Sequence, residues 1–339
     1  MNLDEIIHDF NRDAKGKIIT EGDFAPTEKI PFTSVMLNYI THGGIPTGKV
    51  VEFFGLESSG KTTTAFDVCK QFQARGKKVA YFDLEQTFDP EWAKLLGVNV
   101  AKLVLVRPEE QSADKLLALT IDLVKSGEIG LVVIDSVPAL VSQSEMDKDL
   151  SKDSMGGIGK LMSRYLRTVI PLLREHNCTL LLINQMRASF NPYGENYVVP
   201  GGTAIRFYAS LILHFQKDKY IDADANEMQS SKGETAYGNV IQVRLRKSKC
   251  CRPDRLLTHY TLSYYDGILN NRDLIDLLAY GGYVQQAGSY YSVCDKDGVV
   301  MQSGGKPVKF QGKANLQKAM KSDPALLKAM QDIGKEMAK

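Results

Sequence analysis

No run of apolar residues in this 339-residue chain approaches the roughly 20 needed to cross a bilayer as a helix, which excludes that class of membrane protein. The amino-terminal Met1-Asn2-Leu3-Asp4-Glu5 lacks a basic region followed by an apolar core, so no secretory leader is expected and the cytoplasm is the expected compartment. Neither sign of charge is in excess, with 42 basic against 40 acidic residues, so bulk charge names no polyanionic partner. Nucleic-acid binding, if present, has to come from local patches. The five cysteines are odd in number and none stands in C-x-x-C spacing, which fits a reduced compartment better than a disulfide framework. Internal repeats and low-complexity segments are also missing. The length suits one large domain with smaller appendages and is ample for a buried core.

What is present is organised around Gly55-Leu56-Glu57-Ser58-Ser59-Gly60-Lys61-Thr62 and the following Thr63. The apolar run Val50–Phe54 precedes this stretch and a helical pattern follows it, the context that makes G-x-x-x-x-G-K-[ST] a phosphate loop. Gly55 and Gly60 let consecutive N–H groups turn inward on one anion, and the helix terminus adds unpaired donors. Lys61 supplies a full positive charge at the β/γ-phosphates and Thr62 a hydroxyl for Mg²⁺. A nucleoside-triphosphate site is the reading.

Along the chain, Leu3, Ile6, Ile7 and Phe10 predict a short amphipathic helix over 3–13. The segment 15–20 reads as an isolated strand, docking either on a neighbouring subunit or on its own domain. Apolar runs at 50–54, 78–84, 103–106, 131–135 and 180–184 alternate with helical patterns. Because they are apolar at nearly every position, they predict an α/β fold with a mostly parallel sheet covered by helices on both faces. Runs at 210–215, 240–246 and 258–264 are expected to extend the sheet, with an antiparallel edge as one arrangement. A helix over 158–176 is expected to kink at Pro171, a small α/β region begins near Gly267, and 296–305 reads as a surface loop.

Several polar residues stand at predicted strand ends, where ligands of open α/β sheets bind. Asp135 ends an apolar strand in the position suited to hold Mg²⁺ through water. Glu85 follows another strand, either as the carboxylate that polarises the attacking water or as a surface-loop acid. Gln185 ends a third, where a neutral amide senses a phosphate oxygen and couples it to the loop beyond. That loop carries Arg187, Phe190, Tyr193 and Tyr197, charge for phosphates and rings for bases, or else an ordinary mobile lid. Lys247 and Lys249 flank Ser248 on one face of an extended segment, able to address one polyanion or simply to form a solvated basic edge.

Taken together, GLESSGKTT, YFDLEQTFDPEWAKLLGV, LVVIDSVPAL, INQMR, GGTAIRFYAS and QGKAN resemble the RecA recombinases, in the family's order through nearly the whole chain. The resemblance implies a DNA-dependent ATPase that forms helical filaments on single-stranded DNA and pairs it with homologous double-stranded DNA, with ATP and Mg²⁺ as cofactors. It implies Glu85 as the acid that activates water, Gln185 as the γ-phosphate sensor, and Asp89, Trp92 and Tyr264 at the nucleotide. Lys160, Ser163 and Arg167 follow a first DNA-binding loop, and Arg187, Phe190, Gly201 and Gly202 belong to a second. Lys247 and Lys249 match a basic pair that reaches the ATP of the adjacent subunit. Phe207 and the Lys17-Ile18-Ile19 strand fall at the subunit interface, which turns segment 15–20 toward polymerisation. The implied layout is a polymerisation segment (1–32), an ATPase core (33–266) and a small carboxyl-terminal domain (267–339).

Gln86 where His is common, Thr203 in place of a usual Asn, a shortened second loop, an insertion near 295–309 and no acidic tail point to a divergent or phage-encoded member. A RecA-fold ring helicase is the competing enzyme, disfavoured by the polymerisation strand. A non-catalytic recombination mediator is disfavoured by intact Lys61, Glu85 and Asp135.

Overall fold

The structure is a computed structural model, and it describes residues 2–13, 26–109, 111–147, 157–188, 197–223, 227–228 and 235–339. Lys17, Ile18, Ile19, Phe190 and Tyr193 lie outside the described residues, as does most of the first expected DNA loop. The strands of the main sheet are β1 (Val50–Gly55), β2 (Lys78–Asp83), β3 (Leu103–Val106), β4 (Ile129–Asp135), β5 (Thr179–Gln185), β6 (Leu211–Ile221), β7 (Glu227–Met228), β8 (Gly238–Ser248), β9 (Leu257–Ser263) and β10 (Gly267–Ile268). The helices considered are α1 (Leu3–Asp13), α2 (Val35–Thr41), α3 (Lys61–Gln73), α4 (Pro90–Leu95), α5 (Ala113–Lys125), α6 (Gly157–Glu175), α7 (Thr203–Tyr208), α8 (Asn270–Tyr280), α9 (Lys313–Ser322) and α10 (Pro324–Met337).

The strand order is β10-β9-β8-β6-β1-β5-β4-β2-β3, with β7 paired to β6. From β6 through β1 to β3 every pairing is parallel, and β8, β9 and β10 add the antiparallel edge. Alternate residues of each strand feed two cores. Val51, Phe53, Tyr81, Leu131, Val133 and Leu181 pack on one face with α2, α3 and α4. Val50, Phe54, Phe82, Val132, Ile134 and Leu182 pack on the other with α5, α6 and α7. Burial on both faces is why the runs carry no polar alternation.

The helix α6 runs without a break through Pro171. Pro171 is exposed, so water can satisfy the carbonyl that its missing N–H leaves unpaired. The expected 296–305 loop is partly structured, since Gln302–Ser303 pairs with Lys306–Pro307 in a short hairpin. A three-stranded antiparallel sheet (Val284–Ala287, Tyr290–Val293, Lys309–Gln311) and helices α8, α9 and α10 share a third core. Among the described residues, no helix is long and apolar enough to cross a membrane.

Asp273 of α8 ties this third unit to the main sheet. Its buried carboxylate accepts hydrogen bonds from Thr261 N (3.0 Å) and Thr261 Oγ1 (2.7 Å) of β9. Burial pushes its pKa up to about 7, against the pull of those hydrogen bonds. The folded chain therefore holds this proton more tightly than the unfolded chain, whose carboxyl titrates near about 4. The stability linked to it is complete below the unfolded value and is lost as pH rises through about 7. Asp273→Asn should flatten that part of the pH dependence, by on the order of 1–3 kcal/mol between mildly acidic and mildly alkaline urea titrations. An identical pH dependence in the variant would show that the group titrates normally.

Candidate functional site: a phosphate loop wired to two loop feet

Parallel strands bring their carboxyl ends to one edge, and the register sets what meets there. Gly55 lies level with Gln185, and Asp83 level with Asp135. At the last residue of β1 and at the residue before α3 a Cβ has no space. A Cβ on Gly55 would meet the Phe215 carbonyl oxygen at 2.1 Å, and one on Gly60 would meet Ile241 Cδ1 at 2.2 Å. Gly60 is also the residue before α3 and takes φ 87°, a left-handed conformation that suits glycine.

Lys61 is buried, and its ammonium donates to the carbonyls of Gly55 (3.1 Å) and Leu56 (2.7 Å) and to Ser59 Oγ (3.4 Å). Burial lowers its pKa, while Asp135, Glu85 and Glu57 pull it back up. Thr62 Oγ1 donates to Asp135 Oδ2 at 3.0 Å, and the buried Tyr81 hydroxyl donates to the same oxygen at 2.6 Å. Burial raises the Asp135 carboxyl above its ordinary range, and those two donors partly offset it. A desolvated carboxylate beside a hydroxyl is a pair of hard oxygen donors, the chemistry that suits Mg²⁺. Glu57 and Ser58 are exposed on the loop, Ser59 is buried within it, and Thr63 is half-buried at the start of α3.

Glu85 is exposed beyond β2. Its Oε1 accepts the Ser136 hydroxyl and the Gln185 side-chain amide, the latter at 2.6 Å. The turn bearing Glu85 is clamped by the buried Asp83, whose carboxylate accepts Thr87 N (3.0 Å), Phe88 N (3.1 Å) and Arg107 Nε (3.1 Å). Asp89 caps α4 by accepting the Glu91 and Trp92 amides on Oδ1, and Trp92 keeps a partly exposed face above the core. Both therefore retain surface for a nucleotide base. Tyr264 is exposed just past β9, which pairing through β8 and β6 puts at the same end of the sheet as the phosphate loop.

Next to Gln185, Asn184 is buried and joins three segments. Its Nδ2 donates to Glu52 Oε1 (3.0 Å) of β1 and to the Pro200 carbonyl (2.9 Å), while its Oδ1 accepts Gln185 N (3.0 Å). Pro200 is the far foot of the loop that leaves Gln185, and the near foot pairs Arg187 with Val198. Burial pushes the Glu52 carboxyl up to about 6, opposed by Asn184 and by the charge of Lys247. Gly202, at φ 75°, packs on Gly159 so closely that a Cβ would lie 3.2 Å from its Cα. That approach sets the foot of the second expected DNA loop against the start of α6. Lys160, Ser163, Gly202 and Phe207 line one open cleft of about 520 Å³. Arg167 lies one turn further along α6, exposed, with its Nε donating to the Ser163 carbonyl. Gly201 takes φ 90° beside Ile205.

Lys247 and Lys249 do share a face, but within this chain they are not at the phosphate loop. Lys247 donates to the carbonyls of Arg206 (2.5 Å) and Phe207 (2.9 Å), and Lys249 donates to Phe207 (2.8 Å). They cap the unpaired carbonyls that end α7. By register, Lys247 lies opposite Ile212, which lies opposite Glu52, near the amino end of β1. The phosphate loop leaves from the other end, on the order of 10–15 Å away along the sheet. Phe207 itself is 68 % exposed. The contacts of Tyr81, Asp83, Arg107, Ser136 and Glu52 with this site escaped the sequence reading, because each depends on which strands adjoin.

The RecA N-terminal domain family matches residues 1–269 of this chain. Protein RecA of Paracoccus denitrificans is 33% identical over 323 residues, covering 94% of this chain and 84% of that protein. Protein RecA of Streptomyces coelicolor is 35% identical over 317 residues, covering 92% and 78%. Among solved structures, the crystal structure of the RadB recombinase has TM-score 0.50 at 22% identity, covering 69% of this chain and 95% of that one, a likeness of fold.

Proposed function

The chain belongs to the RecA family of recombinases, and on that premise we propose how its residues divide the work of DNA-dependent ATP hydrolysis in homologous recombination and repair. ATP is held by the loop from Gly55 to Thr63, with Lys61 turned from its carbonyl contacts onto the β/γ-phosphates. Asp89, Trp92 and Tyr264 serve the base and its surroundings. Thr62 directly, and Asp135 through water, would hold Mg²⁺, which when bound neutralises phosphate charge. Glu85 orients and deprotonates the attacking water.

The 2.6 Å hydrogen bond from Gln185 to Glu85 carries this reading, because it joins the hydrolytic base to the foot of the DNA loop. A γ-phosphate oxygen competes with Glu85 for the Gln185 amide. Moving that amide leaves Glu85 Oε1 held by Ser136 alone and shifts a strand end that Asn184 ties to Pro200. Nucleotide state and loop position are thereby two readouts of one network. Single-stranded DNA runs across Lys160, Ser163, Arg167, Arg187, Gly201 and Gly202, contacted mainly through its backbone, and double-stranded DNA is tested against it by base pairing. Residues 1–32 drive self-assembly into helical filaments, 33–266 form the ATPase core, and 267–339 form the accessory domain. The exposed Leu3 and Ile6 of α1 and the exposed Phe207 support the assembly part, as apolar surface wanting a neighbour.

Arg187→Ala and Lys160→Ala should each weaken single-strand binding at every sequence and make its salt slope shallower by about one counterion. Fluorescence titration of a labelled oligonucleotide over a salt series measures both. A slope equal to the parent's would take that residue out of the DNA path.

A further inference from the structure

Two of the five cysteines are adjacent in sequence, and they differ from the others in everything that governs thiol chemistry. Cys69, Cys178 and Cys294 are buried, and burial raises the pKa of each, Cys178 to about 12. An oxidant in solvent reaches none of them readily. Cys250 and Cys251 are part-exposed, one residue past the end of β8. Both sulfurs gather on one hydroxyl: Ser248 Oγ lies 2.9 Å from Cys251 Sγ and 3.6 Å from Cys250 Sγ. The same oxygen accepts the backbone amides of Cys250 (3.2 Å) and Cys251 (3.0 Å), a local turn that fixes both side chains. Lys29 places positive charge beside Cys251.

We propose that Cys250 and Cys251 form an oxidation-sensitive vicinal dithiol, a modification site for hydroperoxides whose closure to a disulfide displaces Lys249. Cys251 is the attacking sulfur. It is the sulfur nearer the Ser248 hydroxyl, and the neighbouring Cys250 thiol, then Ser248 and Lys29, pull its pKa below the ordinary thiol value, while Cys250 is pushed up. The thiolate of Cys251 attacks the O–O bond, which breaks to leave an alcohol or water and a sulfenic acid on Cys251. The Cys250 sulfur, giving up its proton, then attacks the Cys251 sulfur, the S–O bond breaks, and water leaves. Two thiols and one hydroperoxide become one disulfide, one alcohol or water, and one further water. The peroxide takes up the two electrons.

Closure cannot be silent. Disulfides ordinarily join Cα atoms 4.4–6.8 Å apart, whereas neighbours across a trans peptide are about 3.8 Å apart. The peptide between the two residues has to reorient, which disturbs the turn that Ser248 holds through both backbone amides. A bond formed under such constraint is readily reduced again, as befits a reversible mark. Lys249 adjoins the pair, held by its own N–H to the Ser210 carbonyl (2.8 Å) and by its ammonium to Phe207. The effect on turnover rests on the role proposed for Lys249 between subunits. The thiol chemistry does not.

The test treats the full-length protein with hydrogen peroxide and then dithiothreitol. Digest mass spectrometry and single-strand-stimulated ATP turnover are followed together. The peptide holding both cysteines should lose two hydrogens, turnover should fall about fivefold or more, and reductant should restore both. Cys251→Ser should keep untreated turnover and resist peroxide. Cys250→Ser should stop at a sulfenic acid that dimedone captures on Cys251. Oxidation at Cys69, Cys178 or Cys294 before the pair, or equal peroxide sensitivity in Cys251→Ser, would overturn the proposal. A bridge that forms with turnover unchanged would overturn its coupling to Lys249. Mixing the Lys247→Ala/Lys249→Ala variant with Lys61→Ala then tells why: co-assembled mixtures that stay inactive would place the failure in the lysine assignment, and recovered activity would place it in the dithiol.

Discussion

Glu85→Gln should still bind ATP but hydrolyse it about 10²–10⁴-fold more slowly in the presence of single-stranded DNA, the range expected when a general base is lost. The amide keeps the length of the side chain and an oxygen to accept from Ser136 and Gln185, so the turn clamped by Asp83 stays in place. Lys61→Ala should fail earlier. The triphosphate loses the one ammonium that sits inside the loop, and a charge-assisted contact is removed from every bound state. Nucleotide affinity and filament assembly should then fall together. Equilibrium binding of a fluorescent ATP analogue separates the two variants from steady-state turnover. Normal hydrolysis by Glu85→Gln would remove Glu85 from the chemistry, and Ser136 or Gln185 would then have no base to position.

Lys247→Ala/Lys249→Ala should keep its own nucleotide pocket, since both lysines lie near the amino end of β1 and the pocket at the other end. DNA-stimulated turnover should nevertheless be lost, by about 10²-fold or more if the pair stabilises charge on a neighbour's γ-phosphate. The sharper result comes from mixing. Lys61→Ala lacks a working pocket and the double variant lacks a working pair, so some mixed interfaces regain one of each. Co-assembled mixtures should therefore recover a share of activity that neither variant shows alone. Mixtures that co-assemble and remain inactive would mean that the pair serves only to cap α7, the role it has within one chain. Some loss from uncapping is expected in either case, because two ammonium groups hold the last carbonyls of a six-residue helix. Recovery on mixing is not explained by capping.

The phosphate loop, the strands and the residues at strand ends were legible in the chain itself, for a local reason. Gly55 and Gly60 answer to backbone geometry within a few residues, and apolar runs answer to burial on both faces of a sheet. The family's order of motifs supplied the roles proposed for Glu85, Gln185 and the lysine pair. What the chain could not disclose was adjacency. The strand order puts β1 beside β5 and β6, and β2 beside β4, neighbours that are distant in sequence. Only that order brings Tyr81 to Asp135, Ser136 and Gln185 to Glu85, and Glu52 to Asn184. Each is a pairing of polar groups across strands, and no periodicity within one strand records its partner. The same holds for Lys247 and Lys249, whose common face follows from strand alternation, while their seat on the end of α7 follows from the fold. Local conformation was set by the sequence, and the wiring between the phosphate loop and the loop proposed to meet DNA was decided by tertiary structure, because hydrogen bonds join whatever the sheet order makes neighbours.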